Sequence, residues 1–493
     1  MLQFYISFMK TIIVSVLILF TILNVNAQIL NKGFEVTNDS ANFIPQKWGI
    51  NADNGYEITL DTSIYFSGHS SLRISNKQME VDDNYASFSQ SIKIEGDSLK
   101  YITLSVYTRK SNPKIIVNLW CQIRDKNNKM IGVQTIPVDS TINIWQKNSA
   151  NIILDSDAKK ITIGGVLKGI GEAWFDDFDI KDIKISSAPS SSSAKAYHKD
   201  FIKIVQQNSL YSSSLNWIKI NEVTAKLSGG VQTLQDIKFL NKYVLQKLQD
   251  AGDYHSFVQD KANAEKSEKD AINPERAEGK VLANNIGYIY IPGIFSQNAE
   301  VNKKFASEIQ DHIKMLDLSN DIQGWVIDLR DNNGGNLYPM IAGLGPLLGS
   351  GTLGYFPKND GIMNKKNGWS YEKGQAILGN ESVMSIKPFY ELKQPSKKIA
   401  ILINANTGSS GEMLAISFIG NNHARLFGQN SAGYTTGNIN FPLSDGDILY
   451  LASTRTADRK KKIYTGQIIP DEIVPDSTDK ELAIKAATDW IMK

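Results

Sequence analysis

Six small residues, Thr407-Gly408-Ser409-Ser410-Gly411-Glu412, stand between two apolar runs. The run before them, Ile399-Ala400-Ile401-Leu402-Ile403, has the length and β-branching of a fully buried strand. The run after them, Met413-Leu414-Ala415-Ile416-Ser417-Phe418-Ile419, reads as a helix. A chain written this way must make a tight strand-to-helix turn. Such a turn lifts a serine hydroxyl out of the sheet and leaves unpaired N–H groups at the helix start. Ser409 is then a candidate nucleophile for acyl transfer, and the N–H of Ser410 a candidate donor to an oxyanion. The alternative is an ordinary helix N-cap, for which serine and threonine are favoured.

A second turn has the same layout. Gly324-Trp325-Val326-Ile327-Asp328-Leu329-Arg330 reads as a strand ending in charge. Asp331-Asn332-Asn333-Gly334-Gly335-Asn336 needs glycine for positive φ or close backbone approach, and a helix restarts near Tyr338-Pro339. The N–H of Gly334 or Gly335 could supply the other half of an oxyanion hole. A capped strand–helix connection with no chemical role is the alternative.

The motifs DLRDNNGGN, TGSSGE, GQNSAGYTTGN, LSDGDILYL and GQIIPD follow one another in that order. Together they resemble the tail-specific, or C-terminal processing, serine peptidase family, from about residue 200 to the end. Within it the chain resembles the branch without a PDZ domain, that of nisin-resistance proteins and, more distantly, tricorn-type peptidases. The resemblance implies a crotonase/ClpP-like α/β core, a serine nucleophile and a peptide substrate. No zinc-type Cys/His spacing appears, and no cofactor or metal is expected. PDZ-bearing relatives place a general-base lysine in a Gly-Lys-Gly turn downstream of the serine. Here the matching turn is Ala432-Gly433-Tyr434-Thr435, so a Ser–Lys dyad is not expected. Lys460, Lys461 and Lys462 sit in a polar run and read as a solvated turn.

Another base is required. Of five histidines, His69 lies in the N-terminal region and His198 in a linker. His312 falls in an amphipathic helix over 302–316, and His423 in a short connection after the post-serine helix. His255 remains, in Gly252-Asp253-Tyr254-His255-Ser256-Phe257, which resembles the Asp-x-His-Ser/Thr motif of the Ser–His branch. Imidazole suits proton transfer near neutral pH. Asp458 is the acid best placed in the motif order to orient it, and Glu412 reads as a structural carboxylate in the first helical turn.

At 493 residues with 42% hydrophobic and 21% charged residues, the chain is globular and expected to hold two or three domains. A net charge of +2 favours neither nucleic acid nor an anionic membrane as a partner. Cys121 is the only cysteine, so no intrachain disulfide forms. Residues 1–27 read as an export signal: Lys10, then Thr11–Phe20 as an apolar stretch, then Val25-Asn26-Ala27 as a cleavage site. An uncleaved anchor is the alternative. With either, the folded part is expected outside the cytoplasm, as a periplasmic, surface or secreted protein, and no later segment is long and apolar enough to span a membrane.

Residues 28–187 alternate as short strands and predict a jelly-roll sandwich that resembles galactose-binding-like and carbohydrate-binding modules. A glycan ligand is possible for it, with Trp48 either stacking on sugar or filling the core. Trp174 beside Asp176 and Asp177 reads as a buried closing strand whose acids could take a structural calcium. Residues 188–198 are a Ser-rich linker by composition. Residues 199–257 predict a helical bundle carrying the histidine loop, with helices over 201–208, 215–227 and 233–249. Residues 258–280 are a charged connection, read as an exposed loop and too short for a PDZ domain. Residues 281–493 are the α/β core. Its segment 351–396 is open between a β-rich flap and a solvated excursion. The multidomain reading is thus an exported serine endopeptidase. Two alternatives stand beside it: an inactive peptide-binding protein, and a carbohydrate-binding protein in which the sandwich is the main functional part.

Overall fold

The computed structural model describes residues 29–37, 45–77, 84–138, 141–270, 274–475 and 481–493. The export-signal expectation lies outside them. The chain divides into two compact units between Ile185 and Ser186.

The first unit is an antiparallel β-sandwich of two five-stranded sheets. One sheet runs Gly49–Ala52, Ala86–Lys93, Lys160–Lys168, Ile116–Arg124, Met130–Pro137. The other runs Tyr56–Asp61, Ser71–Asn76, Gly171–Asp182, Lys100–Lys110, Gln146–Leu154. Alternation builds it: Lys100–Lys110 turns Ile102, Leu104 and Val106 inward, and Ile116–Arg124 turns Val117, Leu119 and Cys121 inward. Burial pushes the Cys121 thiol up to about 12, so it behaves as a small hydrophobe. Trp48 belongs to the core. It packs among Phe34, Phe88 and Phe178, and its indole N–H donates to Asn31 O at 3.0 Å, so it offers no face to a sugar. Asp176 accepts the N–H groups of Phe66 and Ser67 at 2.8 and 3.0 Å, and Asp177 accepts the Ser67 hydroxyl at 2.8 Å. The two acids weighed as calcium ligands therefore hold a neighbouring loop. Among the described residues no group of three or more acids, histidines or cysteines is arranged for a metal.

The second unit opens with three helices, Ser192–Asn208, Trp217–Leu227 and Leu234–Asp250. The first begins inside the expected linker. Ser191 caps it by accepting from Ala194 N, and Ala194, Tyr197, Phe201 and Val205 form its buried stripe. The serines that suggested flexibility supply the cap and an exposed first turn. His198 is thus a buried helical residue, with Nδ1 2.7 Å from Asn241 Oδ1. The described parts of the expected loop over 258–280 form regular elements. They hold a short strand, Phe257–Gln259, a helix, Lys261–Asp270, begun by Asp260 accepting from Asn263 N, and an edge strand, Glu278–Leu282. A helix this polar has no apolar stripe to betray it.

The core is a six-stranded sheet in the order Glu278–Leu282, Ile286–Tyr290, Gly324–Asp328, Lys398–Ile403, Ala424–Gly428, Glu472–Ile473. All neighbours are parallel except the first pair. Both faces are covered, which is why these strands read as unbroken apolar runs. Trp325, Ile327, Ile399 and Ile401 face the helices Ala299–Ser319, Leu337–Leu348 and Ser410–Phe418. Val326, Ala400 and Leu402 face the terminal helix Glu481–Met492.

A second sheet is ordered Phe257–Gln259, Ile448–Asp458, Gly351–Tyr355, Gly368–Glu372, Gln375–Leu378, Glu381–Ser385, with Thr436–Pro442 and Ile463–Tyr464 also paired to Ile448–Asp458. Segment 351–396 is therefore neither a solvated excursion nor a free flap. Its Leu353, Trp369, Tyr371, Ala376 and Ile386 enter the same core as the first sheet. Trp369 is fully buried, stacks at a tilt 4.5 Å from Phe356, and donates its indole N–H to Ser417 Oγ at 2.9 Å. Trp369→Ala is expected to lower stability by about 3–5 kcal/mol in chemical denaturation. A near-zero change would return the segment to the surface.

Candidate active site

The strand Lys398–Ile403 delivers the chain to the small-residue turn, and the helix Ser410–Phe418 leaves it. Ser409 sits between them at φ 51° and ψ −119°, a conformation that L-residues rarely adopt. Neighbours hold it there. Glu412 Oε2 accepts the Ser409 N–H at 2.9 Å, and Gly408 N donates to Asn332 O at 3.0 Å. The two glycine-rich turns are in direct contact: a Cβ on Gly411 would stand 2.3 Å from Asn332 O. Ser410 spends its hydroxyl on Gly335 O at 2.7 Å, which leaves Ser409 Oγ as the available hydroxyl of the pair.

The second turn is anchored from below. Asp328 and Arg330 form a buried ion pair, and Tyr288 donates to Asp328 Oδ2 at 2.7 Å. Asn332, fully buried, donates through Nδ2 to Ile291 O at 3.0 Å and accepts the Gly334 N–H through Oδ1 at 3.1 Å. Gly334, offered by the sequence as an oxyanion donor, is thus already committed. The N–H groups of Ser410 and Gly335 have no acceptor among the described residues. Gly334 serves by its missing side chain. At φ 112° a Cβ there would stand 2.9 Å from Ser409 Cβ and 3.1 Å from Ser410 N.

His255 comes from 154 positions earlier, yet its Nε2 lies 3.1 Å from Ser409 Oγ. Asp253 shapes its loop: Oδ1 accepts the N–H groups of His255 and Ser256 at 3.1 and 2.9 Å, and Oδ2 accepts the Ser256 hydroxyl at 2.6 Å. Ser256 Oγ accepts Ala452 N, and Asn438 Nδ2 donates to His255 O, which ties the loop to the second sheet. The partner of Nδ1 is Thr436 Oγ1 at 2.9 Å. With the Ser409 proton directed at Nε2, the ring's own proton sits on Nδ1 and Thr436 accepts it. Burial pushes the imidazole pKa down to about 4, and a hydrogen bond to the Thr436 backbone opposes that shift.

Asp458, offered as the orienting acid, is elsewhere. It is buried at the end of its strand, where Oδ1 accepts the N–H groups of Lys460 and Lys462 and Oδ2 accepts the Tyr464 hydroxyl. It closes the turn that the lysine run occupies. Thr436 takes the place beside the ring. Its motif, GQNSAGYTTGN, stood out, but a neutral hydroxyl carries no charge signal by which to choose it. Glu412 is the structural carboxylate expected. Fully buried, it also accepts from Ser431 Oγ and from Gly433 N at 2.8 Å, and burial raises its pKa. A hydroxyl aimed at a neutral imidazole, with free N–H groups beside it, can carry out nucleophilic acyl transfer.

Known proteins resemble the part of the chain that holds this site. Residues 285–474 match the model of peptidase family S41. The nisin-resistance protein of Lactococcus lactis subsp. lactis is 29% identical over 300 residues, which span 61% of this chain and 87% of that protein. Carboxyl-terminal-processing peptidase 2, chloroplastic, of Arabidopsis thaliana is 27% identical over 197 residues, 40% of this chain and 33% of that one. The solved structure of a lipoprotein from Streptococcus agalactiae aligns with a TM-score of 0.49 at 26% identity, covering 63% of this chain and 99% of that one. Residues 285–474 are therefore similar to peptidase family S41, in line with the resemblance to tail-specific peptidases carried by the order of motifs.

Proposed function

We propose that the chain is an exported serine endopeptidase that cuts peptides or unstructured protein tails through Ser409 and His255. One observation carries this reading: the 3.1 Å contact between His255 Nε2 and Ser409 Oγ, held from both sides by the surrounding fold. Ser409 Oγ attacks the peptide carbonyl carbon as Nε2 takes its proton. The negative oxygen that forms is received by the N–H groups of Ser410 and Gly335. Collapse breaks the C–N bond, and Nε2–H protonates the departing amine. Water then attacks the ester, gives a proton to Nε2, and releases the carboxylate product and the free serine.

The segment between the histidine loop and the core is too short for a peptide-binding PDZ domain, so recognition falls to the cleft. That favours short, extended substrates over folded ones. The name of the nisin-resistance relative makes an antimicrobial peptide a substrate to try first. The apolar stretch near the start supports export.

Ser409→Ala and His255→Ala are each expected to cut hydrolysis of a model peptide by at least about 10³-fold while leaving the melting temperature near that of the parent. Full activity in either variant ends this mechanism. Gly334→Ala is expected to cost about 10²-fold in kcat, because its methyl group enters the space before the Ser410 N–H. A variant as fast as the parent would move the oxyanion site elsewhere. The sign of the pH dependence follows from the lowered imidazole pKa. The base is neutral above about 4, so kcat/KM holds through pH 6 and falls only as the pH drops toward that value. An acid limb at the ordinary imidazole value would contradict the burial of His255.

A further inference from the structure

Nδ1 of a catalytic imidazole is commonly fixed by a carboxylate. Here the groups facing His255 are nearly all neutral. Ser409 approaches from the nucleophile turn and Thr436 from its strand. Asn438 holds the backbone carbonyl. The nearby acid on the histidine's own loop, Asp253, is spent on the backbone N–H groups of His255 and Ser256 and on the Ser256 hydroxyl. Thr436 meets the ring through its hydroxyl and its backbone but, unlike a carboxylate, brings no charge to orient the imidazole. One more contact supplies the restraint. The Tyr434 ring lies over the imidazole, with centroids 5.4 Å apart and planes 26° from parallel. Its Cδ2 would also be 3.4 Å from a Cβ on Gly408, the residue before the nucleophile. The ring therefore spans the two halves of the site while 41% of the residue stays exposed.

The loop that presents this ring is anchored to the nucleophile helix. Glu412 accepts Gly433 N at 2.8 Å and the Ser431 hydroxyl, and it also bonds the Tyr434 N–H. One carboxylate thus fixes the Ser409 backbone and the tyrosine over the base. We propose, on the Ser–His reading above, that Tyr434 is a positioning residue: its ring holds the imidazole plane with Nε2 toward Ser409 Oγ and keeps water off the base. The tyrosine hydroxyl has no part in this, since the contact is made by the ring. The low pKa of His255 agrees with a shielded ring.

The test uses a fluorophosphonate probe, which reports the reactivity of Ser409 without a known substrate. Labelling rates are measured from pH 4 to 9 on the full chain, with Ser409→Ala as the blank. Tyr434→Phe keeps the ring and is expected to retain the parent's rate and pH profile. Tyr434→Ala is expected to label about tenfold more slowly at pH 7. Its acid limb is expected to move up by roughly one pH unit as water reaches the imidazole. Tyr434→Leu, which keeps bulk without an aromatic face, gives the same rate loss with a smaller shift and stands in should the alanine variant fail to fold. An alanine or leucine variant with the parent's rate and limb overturns the proposal. So does a phenylalanine variant as slow as alanine, which would give the hydroxyl a chemical role. If the parent itself is not labelled, the serine-peptidase reading falls and this inference falls with it.

Discussion

The geometry of the site depends on one buried carboxylate. Glu412 receives the N–H of Ser409, the hydroxyl of Ser431 and the N–H of Gly433, and has no exposed surface. A serine at positive φ is held in a conformation that costs of order 1–3 kcal/mol and returns to an ordinary one unless its neighbours prevent it. Charge-assisted hydrogen bonds to a fixed acceptor are strong enough to prevent it. Burial raises the pKa of this carboxyl, so keeping it ionised works against stability rather than for it. The arrangement gives up folding free energy for position, a trade that is common where backbone geometry sets chemistry.

The second requirement is to bring a histidine from a distant helical segment to that serine. The long strand Ile448–Asp458 does this by pairing with two elements at once. Phe257–Gln259 pairs at Tyr450 just after the histidine loop, and Thr436–Pro442 pairs along the other side just after Tyr434. His255, its Nδ1 partner Thr436 and the ring stacked on it are therefore fixed by one strand's register. A slip of one residue would turn every side chain on either neighbour to the opposite face. The same strand joins Gly351–Tyr355, whose sheet sends Trp369 to Ser417 on the nucleophile helix. The insertion thus supports the helix that Ser409 precedes.

What could be read from the sequence follows physical contrast. The parallel strands were legible because burial on both faces leaves unbroken apolar runs, and the glycine-rich turns because only glycine and small residues allow such close approach. His255 was reachable because few histidines compete and a short motif surrounds it. Thr436 was not, because an uncharged hydroxyl beside another threonine has no distinguishing pattern. Asp458 reads as an acid among the motifs, but a carboxylate in a strand end is as well suited to closing a turn, and there it sits. Gly334 and Gly335 look identical in sequence. Only Asn332 Oδ1 separates them, by taking one N–H and leaving the other. The helix from Ser192 and the core-bound Trp369 were hidden by polar composition around a few apolar residues.

Among the described residues Nδ1 faces Thr436 and not a carboxylate, which changes how such a site divides its work. An imidazole held near a pKa of about 4 is a weaker base than a solvated one by about 3 kcal/mol. Thr436 offers only a dipole to the imidazolium that forms, where an acid would offer a full charge. In the proposed reaction the compensating negative charge must come from the substrate itself, as its carbonyl oxygen becomes an oxyanion beside the ring. The imidazolium and the oxyanion then stabilise each other in a site that has lost water. The N–H groups that hold the oxyanion consequently carry a larger share of the barrier lowering than the base does. A free peptide end that fits loosely gains little from this arrangement. A peptide seated so that its carbonyl reaches Ser410 N–H gains most of it, which makes the fit of the substrate, more than the strength of the base, the source of rate.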